Sequence, residues 1–222
     1  MIDEETTARL LALDQKFYEA GARDFAEHRT HPWPGWSRIL ATPPGRVLDV
    51  GCGHGRFKEA LGGQETGYLG IDRSEALLKV ARAQHGEHFQ QLDVLFDPLP
   101  APGFDLVVAF GLLHHIPGRD RRLSLLRRLL PLGSRLVVTF WRFADRPRLQ
   151  GKLRSWSELG LREEALEPGD HLLAFGEHRR YAHHFEDQEV EALIRDLGAQ
   201  VLDDFCADGA EQDLNRYLTL TL

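Results

Sequence analysis

A glycine-rich segment between a strand and a helix constrains the fold of this chain more than any other feature. In VLDVGCGHGRF (residues 47–57), an apolar run that contains one acid leads into glycines at 51, 53 and 55. Glycine adopts backbone conformations that other residues avoid, and it lets the backbone approach a ligand closely. The segment therefore predicts a tight turn into a helix, at the position where open α/β folds bind ligands.

Strand and helix patterns alternate along the chain. Apolar runs predict strands at 46–50, 66–71, 88–94, 104–110 and 134–141, and helical spacing predicts helices near 55–61, 74–84, 119–130 and 185–198. Two last strands, near 199–206 and 215–222, are separated by a short loop, which indicates an antiparallel pair. We therefore predict an α/β fold with a seven-stranded, mostly parallel sheet, a terminal antiparallel strand pair and helices on both faces.

The length of 222 residues fits one domain over 1–222. Within it, we expect a helical N-terminal segment at 1–45 and a substrate-side insertion at 145–183, which has no long helix or strand of clear period. Two cysteines are too few for a disulfide framework and fit a reducing compartment. There is no apolar run of membrane-spanning length and no signal-peptide core, so we expect a cytoplasmic protein without a membrane partner.

Charge is distributed unevenly along the chain. The net charge is −7, yet residues 119–154 contain eleven Lys or Arg residues and two acids. Such a stretch is either a solvated helix exterior with a basic loop, or an anion-binding face on an acidic body. Charge alone leaves both interpretations open.

Acidic and small residues follow the predicted strands where a parallel sheet binds its ligand. Asp49 lies inside the first strand, where an acid repels phosphate and favours a group such as an amino-acid ammonium. Asp72 ends the second strand about 20 residues later, where an acid binds ribose hydroxyls, as it also does in NAD sites. Asp93 follows the third strand at a place suited to an adenine amine. The segment GLLHHI begins at Gly111, directly after the buried fourth strand.

These segments, in this order and spacing, resemble the class I S-adenosylmethionine-dependent methyltransferases. DVGCGHG resembles the first motif of that family, GIDRS the second, and FDLVVAFGLLHHI the motif after the fourth strand. The resemblance covers residues 44–142 and the final strands, and it implies a Rossmann-like fold. It also implies S-adenosylmethionine as methyl donor and S-adenosylhomocysteine as product. The donor-binding residues that it implies are Asp49, Gly51, Cys52, Gly53, Gly55, Asp72, Arg73, Asp93, Val94, Gly111, Leu112 and His115.

Three further segments look like the tRNA methyltransferases that esterify the carboxymethyl group of a wobble uridine. That family has a TR-x-x-PWP segment before the first strand, an RYYH-F segment before the last helix, and an asparagine and an aromatic residue opening the final strand. The residues that match the first two segments are Arg29, Pro32, Trp33 and Pro34, then Arg180, Tyr181, His183 and Phe185. Asn215 and Tyr217 match the third only in part. An inserted EHR before Arg180 departs from the pattern. The likeness implies tRNA as substrate, with the basic stretch 119–154 as a phosphate track, and a small zinc-binding activator protein as partner.

Methyl transfer to a carboxylate needs no general base, because the acceptor is already ionised at neutral pH. It needs a cation that orients one oxygen, and arginine does this through its bidentate fork. The candidates on the acceptor side are Arg29, Arg142 and Arg180, with Tyr181 and His183 as polar partners. An amine or hydroxyl acceptor would instead use His114 or His115 as a base.

Several interpretations of the function remain open at this point. A tRNA-modifying methyltransferase leads, and a small-molecule carboxyl or amine methyltransferase with the same fold is the enzymatic alternative. A non-catalytic, donor-binding scaffold is the alternative outside enzymes. No metal is predicted, because the histidines at 171, 178, 183 and 184 lack the ligand spacing of a set with cysteine or carboxylate.

Overall fold

The apolar runs and glycine turns of the sequence form one large sheet with helices packed against it. The structure, a computed structural model, describes residues 2–27 and 31–222. Its helices are α1 (Glu4–Ala20), α2 (Ala22–Glu27), α3 (Trp36–Ile39), α4 (Arg56–Leu61), α5 (Glu75–His85), α6 (Arg119–Leu129), α7 (Pro147–Gln150) and α8 (Asp187–Leu197). Its strands are β1 (Arg46–Val50), β2 (Gly67–Asp72), β3 (Phe89–Gln91), β4 (Leu106–Ala109), β5 (Leu136–Trp141), β6 (Leu153–Arg154), β7 (Asp170–Phe175), β8 (His178–His183), β9 (Gln200–Ala207) and β10 (Asn215–Thr221).

The main sheet has seven strands in the order β3-β2-β1-β4-β5-β10-β9. Strand β1 pairs in parallel with β2 and β4, and β4 pairs in parallel with β5. Strand β10 runs antiparallel to both β5 and β9. The predicted mostly parallel sheet with a terminal antiparallel pair is therefore confirmed, with element ends shifted by a few residues.

Side-chain alternation along the strands divides the core into two layers. Leu48 and Val50 of β1 belong to the apolar cluster that includes α6 and α8. Val47 belongs to the opposite cluster, with Trp36 of α3 and Phe57 of α4. Because successive side chains of a strand point to opposite faces, helices cover both faces of the sheet, as predicted.

Helix α1 brings polar groups toward the carboxyl ends of the strands. It begins at Asp3, whose side chain accepts the Thr6 N–H at 2.6 Å and caps the helix. It packs against α5 and β8, and it buries Asp14 and Phe17. Within the described residues, no helix is both long and apolar enough to cross a membrane.

The insertion at 145–183 is more regular than its sequence pattern suggests. It contains α7 and a separate antiparallel sheet of β6, β7 and β8, in which Asp170 pairs with His183 and Leu173 with Arg180. Gly176, with φ +56°, lies in the turn between β7 and β8. The alternation was hidden because β8 buries arginine and histidine where a strand pattern usually has apolar residues.

Candidate active site

A cavity of about 490 Å³ opens at the carboxyl ends of the parallel strands. Its walls come from the turns after β1, β2, β3 and β4, and from the N-terminal segment, β8 and the β9–β10 turn. Ligand cavities of proteins commonly have about 300–1,000 Å³, and open α/β sheets bind ligands at this edge. The cavity therefore has the size and the place of a ligand site.

The predicted glycine turn forms one wall of this cavity. The backbone N–H groups of Gly51 and Cys52 both donate to the carbonyl of Ile71, at 2.8 and 3.1 Å, which ties the turn to the end of β2. Gly51 and Gly53 have φ of +73° and +55°, a region that side-chain-bearing residues rarely adopt. A Cβ atom at Gly51 would also lie 3.1 Å from the Leu112 side chain. The turn thus needs glycine both for its conformation and for its close packing.

Asp72 joins the glycine turn to the start of α5. One carboxylate oxygen accepts the Gly53 N–H at 2.9 Å, and the other accepts the Ser74 N–H at 2.8 Å. Burial raises the pKa of Asp72, while these backbone N–H groups oppose the shift. Each oxygen keeps a further lone pair, so the carboxylate is able to accept from the two hydroxyls of a ribose.

Asp49 is a buried residue of the cavity wall, and its pKa lies close to neutral pH. Burial raises its pKa to about 7, and the Tyr68 hydroxyl, which donates to it at 2.7 Å, acts in the opposite direction. A cationic group in the cavity would favour the ionised form of this carboxyl. Asp49 therefore suits a ligand that carries an ammonium, as inferred from its place in the strand.

The acceptor side of the cavity contains aromatic rings and a buried cation. The Arg180 guanidinium lies 5.5 Å from the Phe17 ring centroid and 5.3 Å from that of Trp141, and it donates to the Tyr18 hydroxyl at 3.3 Å. It is 6% exposed, and among the described residues it has no carboxylate within ion-pair distance. A buried guanidinium without a carboxylate partner favours an anionic ligand.

Most of the predicted site residues line this one cavity. They are Asp49, Gly51, Cys52, Gly53, Asp72, Arg73, Asp93, Val94, Gly111, Leu112, His114, His115 and Arg180. Gly55 does not line the cavity; it precedes α4 in the left-handed conformation, with φ +82°. Arg29 lies outside the described residues.

Three predicted acceptor-side residues lie elsewhere, because their polar atoms already have partners in other parts of the fold. Arg142 donates to Asp187 at 3.3 Å in a separate surface recess. The Tyr181 hydroxyl donates to Asp170 at 2.7 Å, and the same carboxylate lies 2.7 Å from Nδ1 of His183. The structure therefore separates Arg142, Tyr181 and His183 from the cavity.

Tyr181 and His183 belong to a buried ion network between β7, β8, α6 and α8. Nε2 of His183 lies 2.9 Å from a carboxylate oxygen of Glu189, and Arg122 donates to both Glu189 and Glu167, at 3.0 and 2.7 Å. Asp170, Glu167 and His183 have ligand atoms within 4.8 Å of one another, but both ring nitrogens of His183 face carboxylates and Arg122 supplies the positive charge. We therefore interpret this network as a structural ion cluster.

The basic stretch 119–154 is largely neutralised by acids from distant segments. Five of its arginines make ion pairs, and they are Arg119, Arg121, Arg122, Arg142 and Arg146. Arg128 donates to the backbone carbonyls of Val94 and Asp97. The charge counted along the chain therefore overstates the positive field at this surface, and Arg148 is the one basic residue of the stretch that lines the cavity.

Sequence reasoning missed Asp208, which fixes one wall of the cavity. Although it is not a glycine, it has φ +67°. Its buried carboxylate accepts from the Gly35 N–H at 2.9 Å, from the Asn215 amide at 2.8 Å and from the Tyr217 hydroxyl. Asn215 and Tyr217 thus hold the PWPGW turn in place through Asp208. The Asp-Gly pair at 208–209 was the available signal, since it marks a tight turn.

Arg56 and Trp33 complete the same wall. The Arg56 guanidinium lies 5.1 and 5.2 Å from the ring centroids of Trp33 and Trp36. Burial lowers the pKa of Arg56 to about 10, although the charges of nearby acids oppose the shift. A Cβ atom at Gly111 would lie 3.2 Å from the Trp33 ring and 3.7 Å from His114. Trp33 and His114 therefore flank the backbone at the end of β4.

Comparison with known proteins identifies a methyltransferase domain in the central part of the chain. Residues 48–136 match the family described as methyltransferase domain. The tRNA (carboxymethyluridine(34)-5-O)-methyltransferase of Xenopus tropicalis is 33% identical over 132 residues, which are 57% of this chain and 20% of that protein. The Saccharomyces cerevisiae enzyme of the same name is 29% identical over 160 residues, 69% of this chain and 54% of the other. The chain thus spans a fifth and about half of the lengths of these two relatives.

The fold also occurs in methyltransferases of solved structure. Magnesium protoporphyrin IX methyltransferase from Synechocystis PCC 6803, determined with bound S-adenosylmethionine, superposes with a TM-score of 0.63 at 15% identity, over 96% of this chain and 97% of that chain. The cavity at the strand ends, its glycine turn and its two acids fit a donor with a ribose and an ammonium. Residues 48–136 of the chain therefore match a methyltransferase domain, within a Rossmann-like fold that the chain shares with methyltransferases of solved structure.

Proposed function

We propose that this protein transfers a methyl group to the carboxylate of a carboxymethyluridine at the wobble position of tRNA. The observation that carries the proposal is the Arg180 guanidinium, which is buried at the cavity and has no carboxylate within ion-pair distance among the described residues. The names of the two tRNA methyltransferases to which the chain is similar support the same acceptor. Such an acceptor also agrees with the cytoplasmic location predicted from the sequence.

The donor half of the cavity would hold S-adenosylmethionine through three sets of groups. Asp72 would accept the ribose hydroxyls, Asp49 would face the ammonium, and Asp93 would lie by the adenine amine. Asp93 is fixed for this role, because its carboxylate accepts the Leu95 N–H at 2.9 Å. The donor supplies a methyl group that is already activated by a sulfonium. The protein therefore has to orient the acceptor and exclude water, and orientation of this kind contributes up to about 7–11 kcal/mol.

The acceptor half would hold a planar base that ends in a carboxylate. Arg180 would bind the carboxylate through its fork, and Trp33 and Trp141, which line the cavity, would contact a base turned out of its stack. A neutral amine or hydroxyl would need a base. The nitrogens of His115 already face Asp14 and Tyr18, each at 2.7 Å, which favours an acceptor that is ionised beforehand.

The first test is transfer of labelled methyl from S-adenosylmethionine to total tRNA, followed by nucleoside analysis. We expect the label in the methyl ester of a uridine, and alkali should release this label by hydrolysing the ester. The assay is run with and without a small zinc-binding activator protein, because that partner remains a prediction from the resemblance. Label in a small molecule but not in tRNA would favour the small-molecule methyltransferase. Donor binding without transfer to any acceptor would favour the scaffold.

Replacing Arg180 tests the proposed role of its guanidinium. Arg180→Lys keeps the charge and loses the fork, so we expect kcat/KM for the acceptor to fall by about 10–150-fold, the equivalent of about 1.5–3 kcal/mol for a charged hydrogen bond. The affinity for S-adenosylhomocysteine should not change. Arg179→Ala is the matched control, because the neighbouring arginine binds Glu158 instead. Equal loss of donor affinity in Arg180→Lys would place the residue in the donor pocket or in the fold.

A further inference from the structure

A row of three polar side chains connects the cavity with the buried face of α1. The Tyr18 hydroxyl lies 2.7 Å from Nε2 of His115, and Nδ1 of His115 lies 2.7 Å from one carboxylate oxygen of Asp14. The other oxygen of Asp14 accepts the Tyr181 backbone N–H at 2.8 Å. Tyr18 and His115 line the cavity, whereas Asp14 is fully buried. The row therefore ends at the acceptor side of the cavity.

The number of protons on the Asp14–His115 pair decides the direction of the Tyr18 hydroxyl. With one proton, held between Asp14 and Nδ1, Nε2 is bare and accepts the hydroxyl hydrogen of Tyr18. With a second proton, Nε2 carries a hydrogen and donates it to the Tyr18 oxygen. The hydroxyl hydrogen of Tyr18 then turns toward the cavity. Arg180 donates to the same oxygen at 3.3 Å.

The surroundings of His115 permit this second proton near neutral pH. Among the described residues, Asp14 and Tyr18 contact His115, and the adjacent His114 has its ring centroid 4.1 Å away. Arg180 donates to Tyr18, and the charges of Arg73 and Arg180 act on Asp14. Burial raises the pKa of Asp14 to about 7, against the opposing charges of nearby arginines. Burial of the pair therefore favours a further proton, and the charges of Arg73 and Arg180 oppose it.

Building on the proposed function, we propose that Tyr18 and Arg180 bind the acceptor carboxylate together and that this binding loads a second proton onto the Asp14–His115 pair. In the one-proton state, the lone pairs of the Tyr18 oxygen would repel an anion. In the two-proton state, the hydroxyl donates to it. The proton comes from solvent and returns when the product leaves, because the methyl ester carries no charge to hold it. Tyr18 is thus an acceptor-binding residue, and Asp14 and His115 are positioning residues.

The test is isothermal titration calorimetry in buffers of different ionisation enthalpy, at neutral pH and with saturating S-adenosylhomocysteine. The probes are synthetic anticodon stem-loop RNAs that carry 5-carboxymethyluridine, its methyl ester or unmodified uridine. The carboxymethyl RNA should bind with net uptake of up to about one proton, and the ester with none. Tyr18→Phe should weaken carboxymethyl RNA binding on the order of tenfold and abolish the uptake, with donor affinity unchanged. Arg179→Ala is the control and should keep the uptake, since its guanidinium binds Glu158 and does not line the cavity.

The outcomes separate this inference from the function on which it rests. Preferential binding of the carboxymethyl RNA without proton uptake, or with equal uptake in Tyr18→Phe, overturns the inference alone. The same uptake with the ester RNA overturns it too, and this comparison uses only the unmodified protein. If the unmodified protein does not prefer the carboxymethyl RNA to the uridine RNA, the proposed function fails and the inference fails with it.

Discussion

Replacing Asp72 with alanine removes the acid that connects the glycine turn, the start of α5 and the cavity. Both carboxylate oxygens already accept a backbone N–H, one from Gly53 and one from Ser74. Each has a lone pair left for a ribose hydroxyl of the donor. The substitution therefore removes the expected donor contact and also loosens the turn.

The size of the effect follows from these contacts. A hydrogen bond to a charged group contributes about 1.5–3 kcal/mol, which corresponds to a 10–150-fold change in affinity at about 1.4 kcal/mol per tenfold. Asp72→Asn should lose a similar amount, although it is isosteric. Because both oxygens face N–H donors, its amide nitrogen would have to point at one of them, at Gly53 or at Ser74.

Calorimetric titration of S-adenosylhomocysteine into the variants measures the loss directly. Asp105→Ala is the matched control, because Asp105 accepts the Arg46 backbone N–H at the opposite edge of the sheet, at 2.6 Å. That variant should lose some stability and keep its donor affinity. Donor affinity of Asp72→Ala within about twofold of the unmodified protein, far below the range for one charged hydrogen bond, would refute the ribose assignment. Equal losses of donor affinity in Asp72→Ala and Asp105→Ala would show that the effect comes from lower stability of the fold.

Two further predictions concern pH. Donor affinity should fall as the pH drops below about 7, because burial raises the pKa of Asp49 to that value and the protonated acid no longer attracts an ammonium. Calorimetry of Asp49→Asn should show weaker donor binding that does not depend on pH. If the donor affinity of the unmodified protein does not change with pH, this role of Asp49 is contradicted. Burial lowers the pKa of His183, but hydrogen bonds to Asp170 and Glu189 outweigh burial and raise it above 6.5. In urea denaturation, the unmodified protein should therefore have a larger free energy of unfolding than His183→Asn. This difference should be complete below pH 6.5 and shrink as the pH rises through the raised pKa. A difference that stays constant or grows with pH would contradict the ion cluster.

The donor half of the site was predictable because its residues are close together in sequence. The turn at 51–55 and Asp72 follow strands that are marked by apolar runs, and the ends of parallel strands meet at one edge of the sheet. The same runs predicted the seven strands of the main sheet, although not their order. Local patterns therefore determine this part of the fold and the site together.

The acceptor half is built from residues that are distant in sequence, and local patterns do not report such contacts. Tyr18 and His115 are 97 positions apart, and Asp14 and Tyr181 are 167 apart. The fully buried Asp14 stands on a helix face where an apolar residue would be expected. For the same reason, the charge counted along 119–154 does not report the ion pairs of this stretch, since their acidic partners come from elsewhere in the chain.

The alternation of β8 explains why residues outside the cavity still belong to the segment that resembles the tRNA enzymes. Successive side chains of a strand point to opposite faces, so Arg180 lies on the face opposite Tyr181 and His183. Asp170 binds both of these residues on that other face, and it is the strand partner of His183 in β7. A strand fixed on one face by buried hydrogen bonds cannot slip by a residue without turning Arg180 away from the cavity. Tyr181 and His183 therefore hold the register of β8 that keeps Arg180 at the cavity, and the resemblance in this segment covers both the guanidinium and the residues that support it.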